Sequence, residues 1–311
     1  MPFRAAAPLT FVYALGYPIG ALAVSAMSPM GVLLCRFGLA GALLSGWAVA
    51  ANVRWPTRAA LSHVLVSGLL TQAGQFICLY LALLHGAPAV LGAVIISMNP
   101  VVTAALAALA LGERLTVTRV CALLLGVLAV LAACAGRLVA VGHVDGVVLL
   151  LLVSLLCLAA GGVYQQRFCS RVDYRATAAL QNLVAVVPVA GLAVLMPLSV
   201  IDPWKAAAAV AAVVLCNATL CMTWYVQAIN AYGASAVTML FAVIPAVAGL
   251  LSWAMLGQRP DVGLAVGLAL GAAACWLNAR NSRQQRQNDP AGDGRGQHRV
   301  DAVHETSVAG Q

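Results

Sequence analysis

The sequence predicts an all-α integral membrane protein, with ten transmembrane helices arranged as two inverted five-helix repeats. Three observations predict it. Of the 311 residues 63% are hydrophobic and 8% charged, whereas roughly a quarter of the residues in soluble domains are charged. The apolar runs are about 20 residues long, enough to cross a bilayer core as helices. A shift of 145 positions carries Pro100 onto Pro245, Gly112 onto Gly257, Arg114 onto Arg259, Gly126 onto Gly271 and Tyr80 onto Tyr225 without a gap.

Charges, Gly/Pro clusters and helix caps cut the chain into spans at 8–27, 30–51, 60–84, 88–111, 117–136, 146–167, 174–197, 205–229, 233–256 and 261–279. The start, MPFRAAAPLTFVYALGYPIGALAVSAMSP, imitates a secretory signal, but its apolar run is longer than such a signal needs, so it reads as a retained first span. Connections are mostly short, which makes one bundle. The chain then divides into a first repeat 1–136, an outer loop 137–145, a second repeat 146–279 and a tail 280–311 that is polar, aperiodic and unable to bury enough to fold. Five is odd, so the second repeat enters the bilayer from the opposite side. With the N-terminus inside, the cytoplasmic segments hold Arg4, Arg54, Arg58, Arg114, Arg119, Arg167, Arg171, Arg175, Arg280, Arg283 and Arg286, against Arg137, Lys205 and Arg259 outside. Both termini are therefore expected to be cytoplasmic, in the plasma membrane.

Several function classes fall away. The net charge of +8 comes from single arginines between apolar runs rather than a basic face, so no nucleic acid is expected as a partner. The nine cysteines lie in or beside apolar segments without a CxxC pair or zinc spacing. There is no HExxH, His cluster or buried carboxylate pair, so no enzyme, metal or cofactor is expected. The partners implied are the lipid bilayer and a small-molecule substrate; no oligomeric state is assigned.

The stretch SMNPVVTAALAALALGERLT explains how one span stops and the next begins. Gly112 suits the left-handed end of a helix and Thr116 caps the following one; Gly257 and Asp261 repeat the arrangement. Glu113, beside Arg114 and Arg119, is either an interfacial polar residue or half of a gate ion pair, and Gln258 stands at the equivalent turn. Pro100 lies 12 residues from Pro88, about 18 Å along a helix and so near the midplane. Lacking an N–H, it leaves the Ile96 carbonyl without a helical partner, as Pro245 does for Phe241. These prolines either open a central site or serve as packing kinks.

Polar residues on apolar helices suggest where a solute binds. Thr219, Thr223, Gln227 and Asn230 share one face at helical spacing, Tyr13 and Tyr17 stand beside Pro18, Gln72 and Gln75 face the same way as Gly68, and Asn99 precedes Pro100 with Thr103 one turn on. Each can simply join two helices. Together they are expected to converge on a central cavity walled by Tyr13, Tyr17, Tyr80 and Trp224. Arg36 is the one charge inside an apolar run; it either snorkels to the outer interface or turns inward to attract an anionic group. All nine carboxylates fall in loops, turns or the tail, so no intramembrane acid is available to relay protons. His63 reads as an interface residue.

The paired motifs, Pro100, Gly112-Glu113 and Gly126, then Pro245, Gly257 and Gly271, resemble an EamA-type transporter of the drug/metabolite transporter superfamily over roughly residues 8 to 280. The resemblance implies a secondary transporter, a permease working by efflux, that moves small organic metabolites or drugs such as amino acids by alternating access. It also favours Arg36, since such proteins often carry Arg-Phe here. Gln258 departs from the pattern, which more often has an acid. The alternative is a non-transporting scaffold or lipid-handling protein, which has no use for polar faces converging at the midplane.

Overall fold

The computed structural model describes residues 3–111, 117–141, 146–232, 237, 239–257 and 262–288. The described residues are helical almost throughout. The helices are α1 (Phe3–Ala26), α2 (Pro29–Ala50), α3 (Arg58–Gly68), α4 (Gln75–Leu84), α5 (Ala89–Ile96), α6 (Asn99–Leu111), α7 (Val117–Val141), α8 (Gly146–Phe168), α9 (Tyr174–Leu195), α10 (Pro203–Ala212), α11 (Met222–Tyr232), α12 (Ile244–Leu256) and α13 (Val262–Asn288). Leu69–Gly74 joins α3 to α4 as a π-helical segment, Val213–Cys221 does the same between α10 and α11, and a 3₁₀ turn, Met239–Ala242, precedes α12. Local chemistry sets several starts. Pro29 occupies the first turn of α2, where its missing N–H costs nothing. Asp173 and Asp202 cap α9 and α10 by accepting the backbone N–H groups of Arg175 and Lys205 at 2.8 and 3.0 Å.

Seven described helical runs are long and apolar enough to cross a membrane, and Val120–Ala132, Ile244–Leu256 and Ala265–Leu277 are shorter apolar helices. Large apolar side chains stand exposed on the outer helices, among them Leu124, Leu128 and Leu131 of α7, Val187 and Val194 of α9, and Trp276 of α13. Lipid can cover such a surface and water cannot. The chain is a multi-pass membrane protein.

The two halves exchange equivalent contacts. The second helix of each half pairs with its counterpart, α2 with α9, and so does the fifth, α7 with α13. Helix α1 packs on α10, Val213–Cys221 and α12 of the other half, while α8 packs on α3, Leu69–Gly74, α4 and α6. All eight residues of α5 are buried, which puts this short helix at the centre of the core. Between the halves, Met27 and Val200 form an antiparallel bridge, and Ser28 N–H donates to the Ser199 carbonyl at 2.9 Å.

Four expectations need correction. Pro100 and Pro245 were expected to interrupt continuous helices. Instead α5 ends at Ile96, Ser97 and Met98 turn, and Pro100 sits in the first turn of α6; Pro245 likewise opens α12 after Val243. The chain relieves the proline clash by starting a new helix. Helix α7 runs to Val141, into the stretch read as an outer loop, and α13 continues to Asn288, nine residues into the presumed tail. Its extension, rich in Arg and Gln, holds good helix formers and no Pro or Gly before Pro290. The spans 60–84 and 205–229 were read as regular, yet each contains a π segment. Subtracting 145 from Val213–Cys221 gives 68–76, which brackets Leu69–Gly74, so the irregularity is repeated in both halves.

Candidate functional site

Arg36 points into the protein. On α2 it lies among buried neighbours and is itself 1% exposed, which excludes snorkelling to the interface in this structure. Its Nη1 donates to Asn217 Oδ1 at 2.5 Å, and its guanidinium carbon stands 3.7 Å from the centroid of the Phe76 ring. Nε and Nη2 are buried without a hydrogen-bond partner. Tyr80, Cys221 and Tyr13 are the titratable groups around it. Among the described residues the only carboxylates are Asp173 and Asp202, both spent as helix caps.

Asn217 owes its position to the π segment Val213–Cys221. Bonding between residues five apart fits more residues into a turn than an α-helix does, so the side chains beyond it are turned out of the phase that regular spacing assigns. The backbone of α1 also comes close: a methyl on Gly16 would lie against the Asn217 amide. Here glycine is required by close approach.

In front of Arg36 lies a cavity of about 20 Å³, room for roughly one water. Tyr13, Gly16 and Tyr17 of α1, Gln75, Phe76, Leu79, Tyr80 and Leu83 of α4, Asn217, and Met222 of α11 line it. Aromatic rings continue the wall. Tyr13 meets Tyr17, Tyr225 and Phe241 at centroid distances of 6.4, 6.1 and 5.1 Å, and Phe76 meets Tyr80 at 6.3 Å. Phe241, in the 3₁₀ turn before α12, thus brings the broken helix of the second half to this cage. The Tyr13 hydroxyl and the Gln75 side-chain amide are buried neighbours on this wall. The site therefore offers one buried cation behind Phe76 and Asn217, several phenols and amides, and an aromatic box.

The expected site residues separate into two groups. Tyr13, Tyr17, Gln75 and Tyr80 line the cavity, and Arg36 stands one layer behind it, held by two lining residues. Gln72 and Thr223 are buried with oxygens that have no partner, Thr219 is half-buried, and Trp224 packs against the core from its edge; none is among the lining residues. Asn99 Oδ1 accepts from Thr103 at 3.1 Å, a bond within α6. Pro100 and Pro245 are buried away from the lining. Gln227 is exposed, so the predicted polar face Thr219–Thr223–Gln227 does not turn inward as a unit. That face assumed an unbroken α-helix, and the π segment ends its phase at Cys221.

Asn217 is the residue that periodicity missed, although the shift of 145 carries Gln72 onto it. At the turns, Gly257 adopts φ +65° and closes α12, its N–H donating to the Trp253 carbonyl at 3.0 Å, as a left-handed helix end requires. Gly112, Glu113 and Gln258 lie outside the described residues. His63, read as an interface residue, is half-buried; its Nδ1 lies 2.7 Å from the Tyr164 hydroxyl and its ring stacks on Phe168 at 4.7 Å.

A model of the EamA-like transporter family matches the chain twice, at residues 5–134 and 146–280. Fifteen chains of solved structures match; one, a crystal structure of a protein, superposes with a TM-score of 0.66 at 20% identity, over 91% of this chain and 99% of that one. That likeness concerns the fold. A comparison with curated proteins gives no match.

Proposed function

Because the chain belongs to the EamA-like transporter family, we propose that it is a secondary carrier exporting small organic solutes that bear a carboxylate, and that Arg36 receives the anionic group. The observation that carries this reading is a buried guanidinium whose partners are neutral and whose Nε and Nη2 have none. A buried cation is costly unless paired, and guanidinium geometry matches a carboxylate with two parallel hydrogen bonds. The rings of Tyr13, Tyr17, Phe76 and Tyr80 supply an apolar wall for the rest of the solute. At about 20 Å³ the cavity holds roughly one water, so an organic solute enters only as the surrounding helices part.

The carrier works by alternating access of two inverted five-helix halves, with ten crossings and both termini in the cytoplasm. The seven long and three shorter apolar helices are consistent with ten. The reciprocal packing of the halves supports the inversion. So does the bridge between Met27 and Val200, since these connections fall on the same outer side of the plasma membrane in the ten-helix scheme.

The test compares Arg36→Lys and Arg36→Gln with the unaltered protein in liposomes, screened for uptake and efflux of labelled carboxylates. The lysine variant keeps the charge and should retain part of the transport. The glutamine variant should lose most of it, at equal insertion. Full transport by Arg36→Gln would remove the anion site from the mechanism.

A further inference from the structure

Among the described residues Arg36 is a cation without an anion, and this bears on how the carrier moves when empty. Its guanidinium is 1% exposed, and the groups that meet it, Asn217 Oδ1 and the neighbouring Tyr80 hydroxyl, bring acceptors but no charge. No carboxylate in the sequence falls within an apolar run, so none is available from another helix. The equivalent position in the second half is Gln181, which donates to Ser67 and Gln165 at 3.1 and 2.8 Å, so the symmetry supplies no counter-charge either.

A carrier must pass through a closed state in which water reaches the site from neither side. With the site empty, the bare guanidinium then bears its full desolvation cost. A docked carboxylate cancels the charge and fills the idle donors, so the same passage becomes easier. We propose, building on the carrier reading above, that this protein is an exchanger of organic monoanions: the bundle changes sides readily only while a cargo carboxylate neutralises Arg36. Asn217 is the placeholder that holds one guanidinium N–H between cargoes. Asn217 and Phe76 both cover Arg36 and line the cavity, so a carboxylate entering there displaces the amide from the guanidinium. The cargo carries one net negative charge because the site has one cation and no carboxylate for an ammonium group.

The experiment uses the full chain in liposomes clamped at zero membrane potential, with labelled phenylpyruvate outside. The lumen holds buffer alone, unlabelled phenylpyruvate, or phenylalanine, which differs at the group beside the carboxylate by carrying an ammonium. Internal phenylpyruvate should raise uptake at least about tenfold, equivalent to ~1.4 kcal/mol of barrier, and internal phenylalanine should not. Equal uptake into empty and phenylpyruvate-filled vesicles would refute exchange while leaving the carrier reading intact. Equal stimulation by phenylalanine would refute the restriction to monoanions. No uptake above protein-free vesicles under any condition would overturn the carrier reading for organic monoanions, and exchange with it. Arg36→Gln should abolish the stimulation whatever rate remains, whereas Arg36→Lys, which keeps the cation, should retain part of it. Stimulation that survives in Arg36→Gln would show that the charge does not hold back the empty carrier.

Discussion

Gly16→Ala tests the Arg36 centre from a helix that carries none of its charge. A methyl at this position falls against the Asn217 amide nitrogen and within 3.0 Å of its Cγ, so one of the two must move. A free asparagine side chain would swing aside at little cost. Asn217 is not free, because its Oδ1 holds Arg36 Nη1 at 2.5 Å in a site where Nε and Nη2 are already without partners. Breaking that bond strands another buried, charged donor, which costs about 1–3 kcal/mol or more. Alanine returns ~0.8–1.0 kcal/mol as the better helix former. The net expectation is a loss of up to roughly 2 kcal/mol. Gly38→Ala is the control. It lies on α2, near Arg36 in sequence, with nothing within 4 Å of the added carbon, so it should hold or raise stability. The assay is equilibrium unfolding of the purified variants in one detergent, with Gly16→Ala/Asn217→Ala completing a double-mutant cycle. Removing the Asn217 side chain should make the methyl harmless. Equal behaviour of Gly16→Ala and Gly38→Ala would show that the bond to Asn217 does not hold Arg36 in place.

Other positions give separate tests. Gly257 closes α12 at φ +65°, so Gly257→Ala should lose about 1–2 kcal/mol to left-handed strain and Gly257→Asn less, read from thermal unfolding. Asp173→Ala should lose the α9 cap, about 1 kcal/mol. The Arg175 side chain, with help from its backbone N–H, holds the Asp173 carboxyl below the usual carboxylate range. A group depressed on folding adds stability above its unfolded pKa and loses it as pH falls through the folded value; acid titration of unfolding should therefore show an extra loss below that range in the unaltered protein, absent from Asp173→Asn. Pro100→Ala and Pro245→Ala remove a residue preorganised for the first turn of its helix, so stability should hold or fall by up to about 1 kcal/mol while transport falls. Normal transport per folded molecule in these variants would make the prolines packing devices.

Much of this arrangement was legible in the sequence because hydropathy and punctuation are local signals. Span boundaries follow charges, prolines and caps, and Gly257 announced a left-handed stop from its residue type alone. The prolines announced a break but not its kind, because whether a helix kinks or restarts depends on what packs around it. The two π segments carried no local mark: nothing in LLTQAG or VVLCNATLC distinguishes them from ordinary α-helix. That omission misplaced Gln227 and hid Asn217, since both readings used a regular period. Arg36 was legible as a choice between two orientations, and the choice was settled by packing against Phe76 and Asn217.

The repeated irregularities show how a symmetric frame holds an asymmetric site. Helix α1 meets Asn217 of one π segment at Gly16; 145 residues on, a methyl at Gly161 of α8 would meet Thr71 and Leu70 of the other π segment. Each joint thus sets a glycine of one half against a widened helix of the other, and each flanks a second helix bearing a buried polar residue, Arg36 on α2 or Gln181 on α9. A duplicated backbone accounts for the joints but not for their chemistry. Gln181 donates to both Ser67 and Gln165, which leaves a neutral cluster with its bonds made. Arg36 meets only neutral partners, keeps Nε and Nη2 without any, and has an unspent charge. If binding drew equally on both joints, both would have kept their donors free. On the carrier reading proposed above, that contrast is why the anion site is sought at the Arg36 joint and not at the Gln181 joint.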